Sequence, residues 1–388
     1  MLPHKSTPAS ENRLYGTHRT SSRQFGHLPA LDGLRGIAIL AVMTFHVGSH
    51  TIVGGHLGVD LFFVLSGFLI TSLLVQEWNQ FGAINLRLFY IRRALRLFPA
   101  LFAVIVVCSI YSDLFATSTE QSMLHKGVFY SMFYSSNWYQ AFNGMGTLGI
   151  LSHTWSLSIE EQFYILWPPL LAYLLRLKCK HWRVLMALTV TIIFIALNRA
   201  VLWQGQLSFA RVYASLDTRA DAILLGCLLG LLTSWKLLPM LSRRITLVLS
   251  ISLCLLLTIM FLFCSNYAGY MYRGGLAGFA AAAATFVYLL LTWMPRFITT
   301  ILEFSPLAWI GRLSYGLYLW HIPIFNFCYN PSHPLPLRLL TAFGVTFATA
   351  TVCYYLIERP CLRFKRRFYS VPRDAQLSSQ LNGMPMLE

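Results

Sequence analysis

The chain has 388 residues, of which 56% are hydrophobic and only 11% charged, and its mean hydropathy is +0.58. An ordinary soluble domain, in which roughly a quarter of residues are charged, is excluded. The formal charge of +16 invites a nucleic-acid partner, but the charges lie in short clusters between apolar runs. The composition is instead that of an all-α, polytopic membrane protein with membrane lipids, not nucleic acid, around it.

Residues 1–28 are polar with no early apolar core, so they read as a flexible cytoplasmic tail and not as a cleaved signal peptide. Ten apolar segments follow, near 31–50, 57–76, 98–116, 157–175, 184–202, 215–234, 245–263, 275–294, 307–327 and 337–357. Each is close to the ~20 residues a spanning helix needs. With the termini inside and the spans alternating, 24 of the 30 Lys and Arg fall on the inner side, all but Lys126, Arg199, Arg211, Arg219, Arg273 and Arg338. That is the positive-inside pattern, and it predicts a multi-pass protein of the inner (plasma) membrane with both termini cytoplasmic. Residues 124–142 pose an ambiguity. Counted as an eleventh span they would place Arg176, Lys178, Lys180 and Arg183 outside, so they are expected to form an outer amphipathic or re-entrant segment. Residues 361–388 read as a basic cytoplasmic tail. The eight cysteines are scattered singly, the pattern of small buried hydrophobes and not of a metal site or disulfide framework.

The first span carries Arg35 and His46, eleven residues apart. On a helix they point to nearly the same side, ~16 Å apart along the axis. Arg35 is expected near one end of the span and His46 deep within it. Ionisable groups there mark a functional site. Asp32 is three residues before Arg35 and can pair with it. The structural reading is an Asp–Arg pair capping a span, with His46 a satisfied core histidine. Asp60 opens the second span on the side where the first one exits, where it can orient His46 or merely cap a helix. In Phe89-Tyr-Ile-Arg-Arg-Ala-Leu-Arg-Leu-Phe-Pro99, Arg93 and Arg96 share a face. A positive-inside loop explains the charge. It does not explain the choice of arginine throughout, which suits bidentate phosphate contacts.

Further along, His153-Thr-Trp-Ser-Leu-Ser-Ile-Glu-Glu-Gln-Phe-Tyr164 puts His153 and Glu160 two turns apart on one face. Glu160 then polarises a histidine or binds a sugar hydroxyl; alternatively Glu160 and Glu161 pair with Arg211 or Arg219. In the ninth span Ser314, Tyr318 and His321 form a polar stripe at i, i+4 and i+7. It serves a ligand or simply interhelical hydrogen bonding.

Taken together these clusters resemble the membrane-bound acyltransferase-3 family. The matching features are the Arg35/His46 pair, Gly58-Val-Asp-Leu-Phe-Phe-Val-Leu-Ser-Gly67, the Arg93/Arg96 pair, Trp155-Ser-Leu-Ser-Ile-Glu-Glu-Gln-Phe-Tyr164, Ser314-Tyr-Gly-Leu-Tyr-Leu-Trp-His321 and Glu358-Arg-Pro360. The resemblance implies a transmembrane acyltransferase domain over 29–360, with about ten helices around a central acyl-transfer cavity. It implies transfer of an acyl group, usually acetyl, from cytoplasmic acyl-CoA to a hydroxyl of a sugar in a polysaccharide, a lipid-linked glycan or a glycosylated metabolite. Acyl-CoA would be a co-substrate, the glycan or glycolipid the acceptor, and no permanently bound cofactor or metal is expected. Such chemistry needs a base for the hydroxyl proton, and histidine, with an unperturbed pKa near ~6.5, is the usual choice. It also needs donors for the thioester oxyanion. The expected roles are therefore His46, Arg35 and Glu160 in catalysis, Arg93, Arg96 and Arg35 on the donor phosphates, and Asp32, Asp60, His153, Ser314, Tyr318 and His321 on substrate. The main alternative is a transporter or flippase for an anionic lipid or acyl compound, with the same buried charges lining a path.

Overall fold

A computed structural model describes residues 28–47, 52–328 and 334–365. The polar tail expected over 1–28 and the basic tail expected over 361–388 lie outside these residues, apart from their inner edges. Among the described residues all regular structure is helical. The elements are α1 (Pro29–His46), α2 (Leu57–Phe81), α3 (Leu86–Phe115), α4 (Ser118–Met132), α5 (Ser136–Asn143), α6 (Trp155–Arg176), α7 (His181–Leu202), α8 (Phe209–Ala214), α9 (Leu216–Ser234), α10 (Arg243–Phe263), α11 (Leu276–Thr292), α12 (Arg296–Leu302), α13 (Ser305–Phe327), α14 (Leu335–Cys353) and α15 (Arg359–Lys365). A 3₁₀ turn, Gly149–Thr154, leads into α6.

All ten apolar segments fall on helices: α1, α2, α3, α6, α7, α9, α10, α11, α13 and α14. Six helical stretches, which include α2, α3, α7, α10, α11 and α14, are long and apolar enough to cross a membrane by length and composition. The other four (α1, α6, α9, α13) carry charged and polar residues that lower their hydropathy, and these are the residues that build the interior. α2 is central, with 78% of its apolar window buried, whereas only 17% of that of α10 is covered and the rest presents side chains outward.

Close helix contacts set the framework. A Cβ on Gly311 of α13 would collide with the carbonyl oxygen of Asp32 in α1, and one on Gly36 of α1 with that of Leu307 in α13. The α1–α13 contact therefore requires glycine, as close backbone approach in membrane bundles does. The same holds for α2 and α9, where Gly67 meets the Ile223 carbonyl and Gly226 that of Val64.

Contacts also fix helix direction. Arg35 meets Ser314 and His46 meets His321, so α1 and α13 run parallel. Leu97 meets Tyr315 and Tyr111 meets Phe327, so α3 runs with them. Gly55 packs on Ala41 and Gly58 on Ala38, which makes α2 antiparallel to α1. Phe63 meets Trp155, Ser66 meets Tyr164 and Thr71 meets Trp167, so α6 runs with α2. Hence α3 and α6 run in opposite directions, and the chain between them makes no net crossing. That intervening segment, the ambiguous 124–142, is broken into α4 and α5 at Tyr134, whose φ is 48°.

Three charged pairs brace one side of the bundle. Arg219 reaches Asp60 at 3.0 Å, Arg199 reaches Asp221 at 2.8 Å, and Arg211 grips Asp217 with two bonds of 2.8 and 2.6 Å. The first two pairs are buried, the third half-exposed. The pairing of Glu160 and Glu161 with Arg211 or Arg219 is therefore ruled out: each arginine is already held by an aspartate.

Candidate active site

A cavity of about 450 Å³ opens between α1, α2, α3, α6 and α13. Its charged wall comes largely from the first turns of α3. Glu77 at the end of α2 accepts the Asn85 backbone N–H at 2.9 Å, and the Asn85 side chain accepts from Leu88 N–H at 3.0 Å, capping the helix. Glu77 also pairs with Arg92 at 3.1 Å. This knot fixes the start of α3 and turns Arg93 and Arg96, one helical turn apart, into the cavity. Arg93 lies 3.8 Å above the ring of Tyr164, whose hydroxyl is hydrogen-bonded to Ser66. Arg35 donates to Ser314 Oγ through Nε at 3.3 Å and a terminal nitrogen at 3.2 Å. Glu160 completes the wall. Among the described residues none of Arg35, Arg93 and Arg96 forms an ion pair within 4.0 Å; the lining carries them with Glu160, beside the Arg92–Glu77 pair. An apolar strip from α2, with Phe62, Leu65, Leu69 and Ile70, forms the opposite wall.

The histidines gather at the other end of α1 and α13. His46 is the last residue of α1 and is exposed. This corrects the expectation of a histidine deep within a span: α1 stops at His46, short of the expected span end at 50. Its Nδ1 donates to the Val42 carbonyl at 2.9 Å, which leaves Nε2 with a free lone pair. The His321 ring is centred 5.0 Å from that of His46 and 5.2 Å from that of His153. His321 is fully buried, and its Nδ1 donates to the Tyr318 carbonyl at 2.6 Å. Tyr318 stands between the two ends. Its hydroxyl donates to the His153 carbonyl at 2.8 Å and takes a 2.6 Å bond from Ser156, while its side chain lines the cavity.

The expected site residues thus separate. Arg35, Arg93, Arg96, Glu160, Ser314 and Tyr318 meet at the cavity, and His46, His153 and His321 meet beyond it. Asp32 sits in the first turn of α1 and does not line the cavity, and Asp60 is held by Arg219, not by His46. Glu160 lines the cavity, whereas His153 does not and sits in the 3₁₀ turn just before the helix that begins at Trp155. Sequence reasoning missed Ser66, Ser156 and Tyr164 as cavity residues, and also buried His56, whose ring lies 5.6 Å from that of Phe45. Ser66, Ser156 and Tyr164 lay inside quoted motifs, so their clustering was the available signal.

Comparison with known proteins shows the family. Residues 28–358 match the family described as acyltransferase domain. The chain is 35% identical over 358 residues to the peptidoglycan O-acetyltransferase OatA of Listeria monocytogenes, covering 88% of this chain and 57% of the relative. It is 32% identical over 363 residues to the putative peptidoglycan O-acetyltransferase YrhL of Bacillus subtilis, covering 88% and 56%. It is also 32% identical over 355 residues to the putative O-acetyltransferase SACOL0978 of Staphylococcus aureus, covering 88% and 58%. The chain therefore spans rather more than half the length of these relatives. No solved structure matches it. With the motifs, the helical frame and this match in place, the chain belongs to the membrane acyltransferase-3 family.

Proposed function

We propose that the protein is an integral-membrane O-acyltransferase that moves an acetyl group from cytoplasmic acetyl-CoA to a sugar hydroxyl on the far side of the membrane. The observation that carries this reading is the arginine-lined cavity joined, along α1 and α13, to a histidine cluster. Arg35, Arg93 and Arg96 form a cationic surface for the phosphates of CoA, which cannot enter hydrocarbon. The apolar α2 wall suits the pantetheine arm. The ~16 Å between Arg35 and His46 is a distance such an arm can bridge. His46, with its tautomer set by Val42, takes the proton of the acceptor hydroxyl as that oxygen attacks the thioester carbonyl. The C–S bond then breaks and CoA leaves as its thiol. The Ser156, Ser314 and Tyr318 hydroxyls near the path are candidate donors to the oxyanion.

Orientation follows from charge. The dense basic clusters of the sequence near the arginine end support a cytoplasmic side for it, with His46 toward the acceptor. The relative directions of α1, α2, α3, α6 and α13 support a reading of ten crossings with both termini on one side. The names of two relatives support a cell-wall glycan as acceptor. The test uses purified protein in vesicles with acetyl-CoA and a soluble glycan acceptor. The proposal expects free CoA and acetylated glycan in equal amounts without an ion gradient. Uptake of an anion without CoA release would replace it with a transporter.

A further inference from the structure

On the acyl-CoA reading, the acceptor approaches from the exposed His46 side and the thiolate leaves on the cavity side. The reaction therefore has to move a proton between them. An ionised thiolate in a low-dielectric interior is costly, so the leaving sulfur needs that proton. His321 occupies the intervening position. It lies on the polar stripe of α13 that runs from Ser314 through Tyr318, a cavity-lining residue, and its ring touches that of Tyr318 at 5.3 Å and that of His46 at 5.0 Å. It is fully buried, its Nδ1 is committed to the Tyr318 carbonyl, and its Nε2 has no hydrogen-bond partner among the described residues. A buried nitrogen without a partner carries a desolvation cost that an apolar side chain would avoid. His153 faces the same ring at 5.2 Å. The obvious carboxylates are elsewhere: Asp60 is bound to Arg219, and Glu160 lies in the cavity wall.

We infer that His46 and His321 form a two-histidine proton relay in which His321 is the general acid for the leaving thiolate. This rests on the acyl-CoA reading above. His46 Nε2 takes the proton of the acceptor hydroxyl as the new ester C–O bond forms. The proton passes to His321 Nε2, directly or through one water. When the C–S bond breaks, the sulfur keeps the electron pair and receives the proton from His321, which returns to neutral. The sum is alcohol plus thioester giving ester plus thiol, with no other reactant. Two imidazoles, each with Nδ1 held on a carbonyl, thus perform the transfer that a carboxylate-backed histidine performs elsewhere.

The relay is tested by chemical rescue. Purified His321→Ala should bind acetyl-CoA like the wild type yet release CoA ~10²-fold or more slowly in the presence of acceptor. Millimolar imidazole should restore at least ten-fold of that loss, on the order of what a positioned base contributes. Pyrrole, which fills the same space without a basic nitrogen, should not. A second variant, His321→Gln, is tested with a donor whose thiol is acidic, S-(4-nitrophenyl) thioacetate. Its rate relative to the wild type should recover, because that leaving group needs no proton, whereas His46→Gln should stay inactive with both donors. Equal rescue by pyrrole, no rescue by imidazole, or a His321→Gln defect identical for the two donors would overturn the relay and leave His321 a packing residue. A wild type that fails to turn over acetyl-CoA would instead sink the acyl-CoA reading.

Discussion

Two sets of arginines inside this bundle carry the same charge and have opposite consequences. On α7, α8 and α9, Arg199, Arg211 and Arg219 each have an aspartate within 3.0 Å. On α1 and α3, Arg35, Arg93 and Arg96 have a serine, a tyrosine ring and an open cavity. The first set is neutralised from within and can only brace helices. The second has no ion-pair partner within 4.0 Å among the described residues and faces open space, where the proposed donor phosphates would sit. Charge count along the sequence cannot separate the two; the identity of the facing side chain does.

The largest expected effect lies at the far end of the open set. His46→Gln should fold and bind donor normally yet lose ~10²–10⁴-fold in transfer, or about 3–5 kcal/mol in the barrier. Steady-state turnover at saturating acetyl-CoA, with donor binding measured in parallel, checks this; substantial turnover would remove His46 as the base. In the braced set the damage should appear as stability instead. Asp60→Ala strands a buried guanidinium and should cost about 3–5 kcal/mol, whereas Asp60→Leu with Arg219→Met should recover most of it. Thermal unfolding in detergent reads both, and a single variant as stable as wild type would show that the pair is not holding α2 to α9.

Much of this contrast was only half legible in the sequence. Helix positions followed from apolar run lengths, and Arg35 with His46, or Arg93 with Arg96, followed from spacing alone because both members sit on one helix. Asp60 with Arg219 did not, because 159 residues separate them and only packing brings them together. The end of α1 at His46 is likewise not legible from the apolar run, which continues past that residue. Tyr164 and Ser66 were invisible as a unit for the same reason as Asp60: they join two helices.

Smaller effects sharpen the comparison further. Gly311→Val would drive a branched side chain into the Asp32 carbonyl and should cost about 1–3 kcal/mol, loosening the α1–α13 contact that aligns arginine and histidine ends. Thermal unfolding and turnover should fall together, and a change in neither would mean that the close approach is dispensable. Arg211→Ala should matter least. Its partner Asp217 is 41% exposed, and a half-solvated pair contributes about 0–1 kcal/mol. Unchanged acetyl-CoA affinity in this variant is the control for the arginines of the cavity.

The most direct test of the central claim is equilibrium binding of CoA to the purified protein, read by calorimetry across a salt series. The wild type should bind, weaken as salt rises, and lose ~10-fold or more in affinity in Arg93→Ala and again in Arg96→Ala, as loss of charge-assisted contacts worth ~1.5–3 kcal/mol each requires. Pantetheine, which lacks the nucleotide phosphates, should bind weakly to all variants alike. CoA affinity that survives the double substitution, in protein whose unfolding is unchanged, would contradict the assignment of the cavity arginines to the donor.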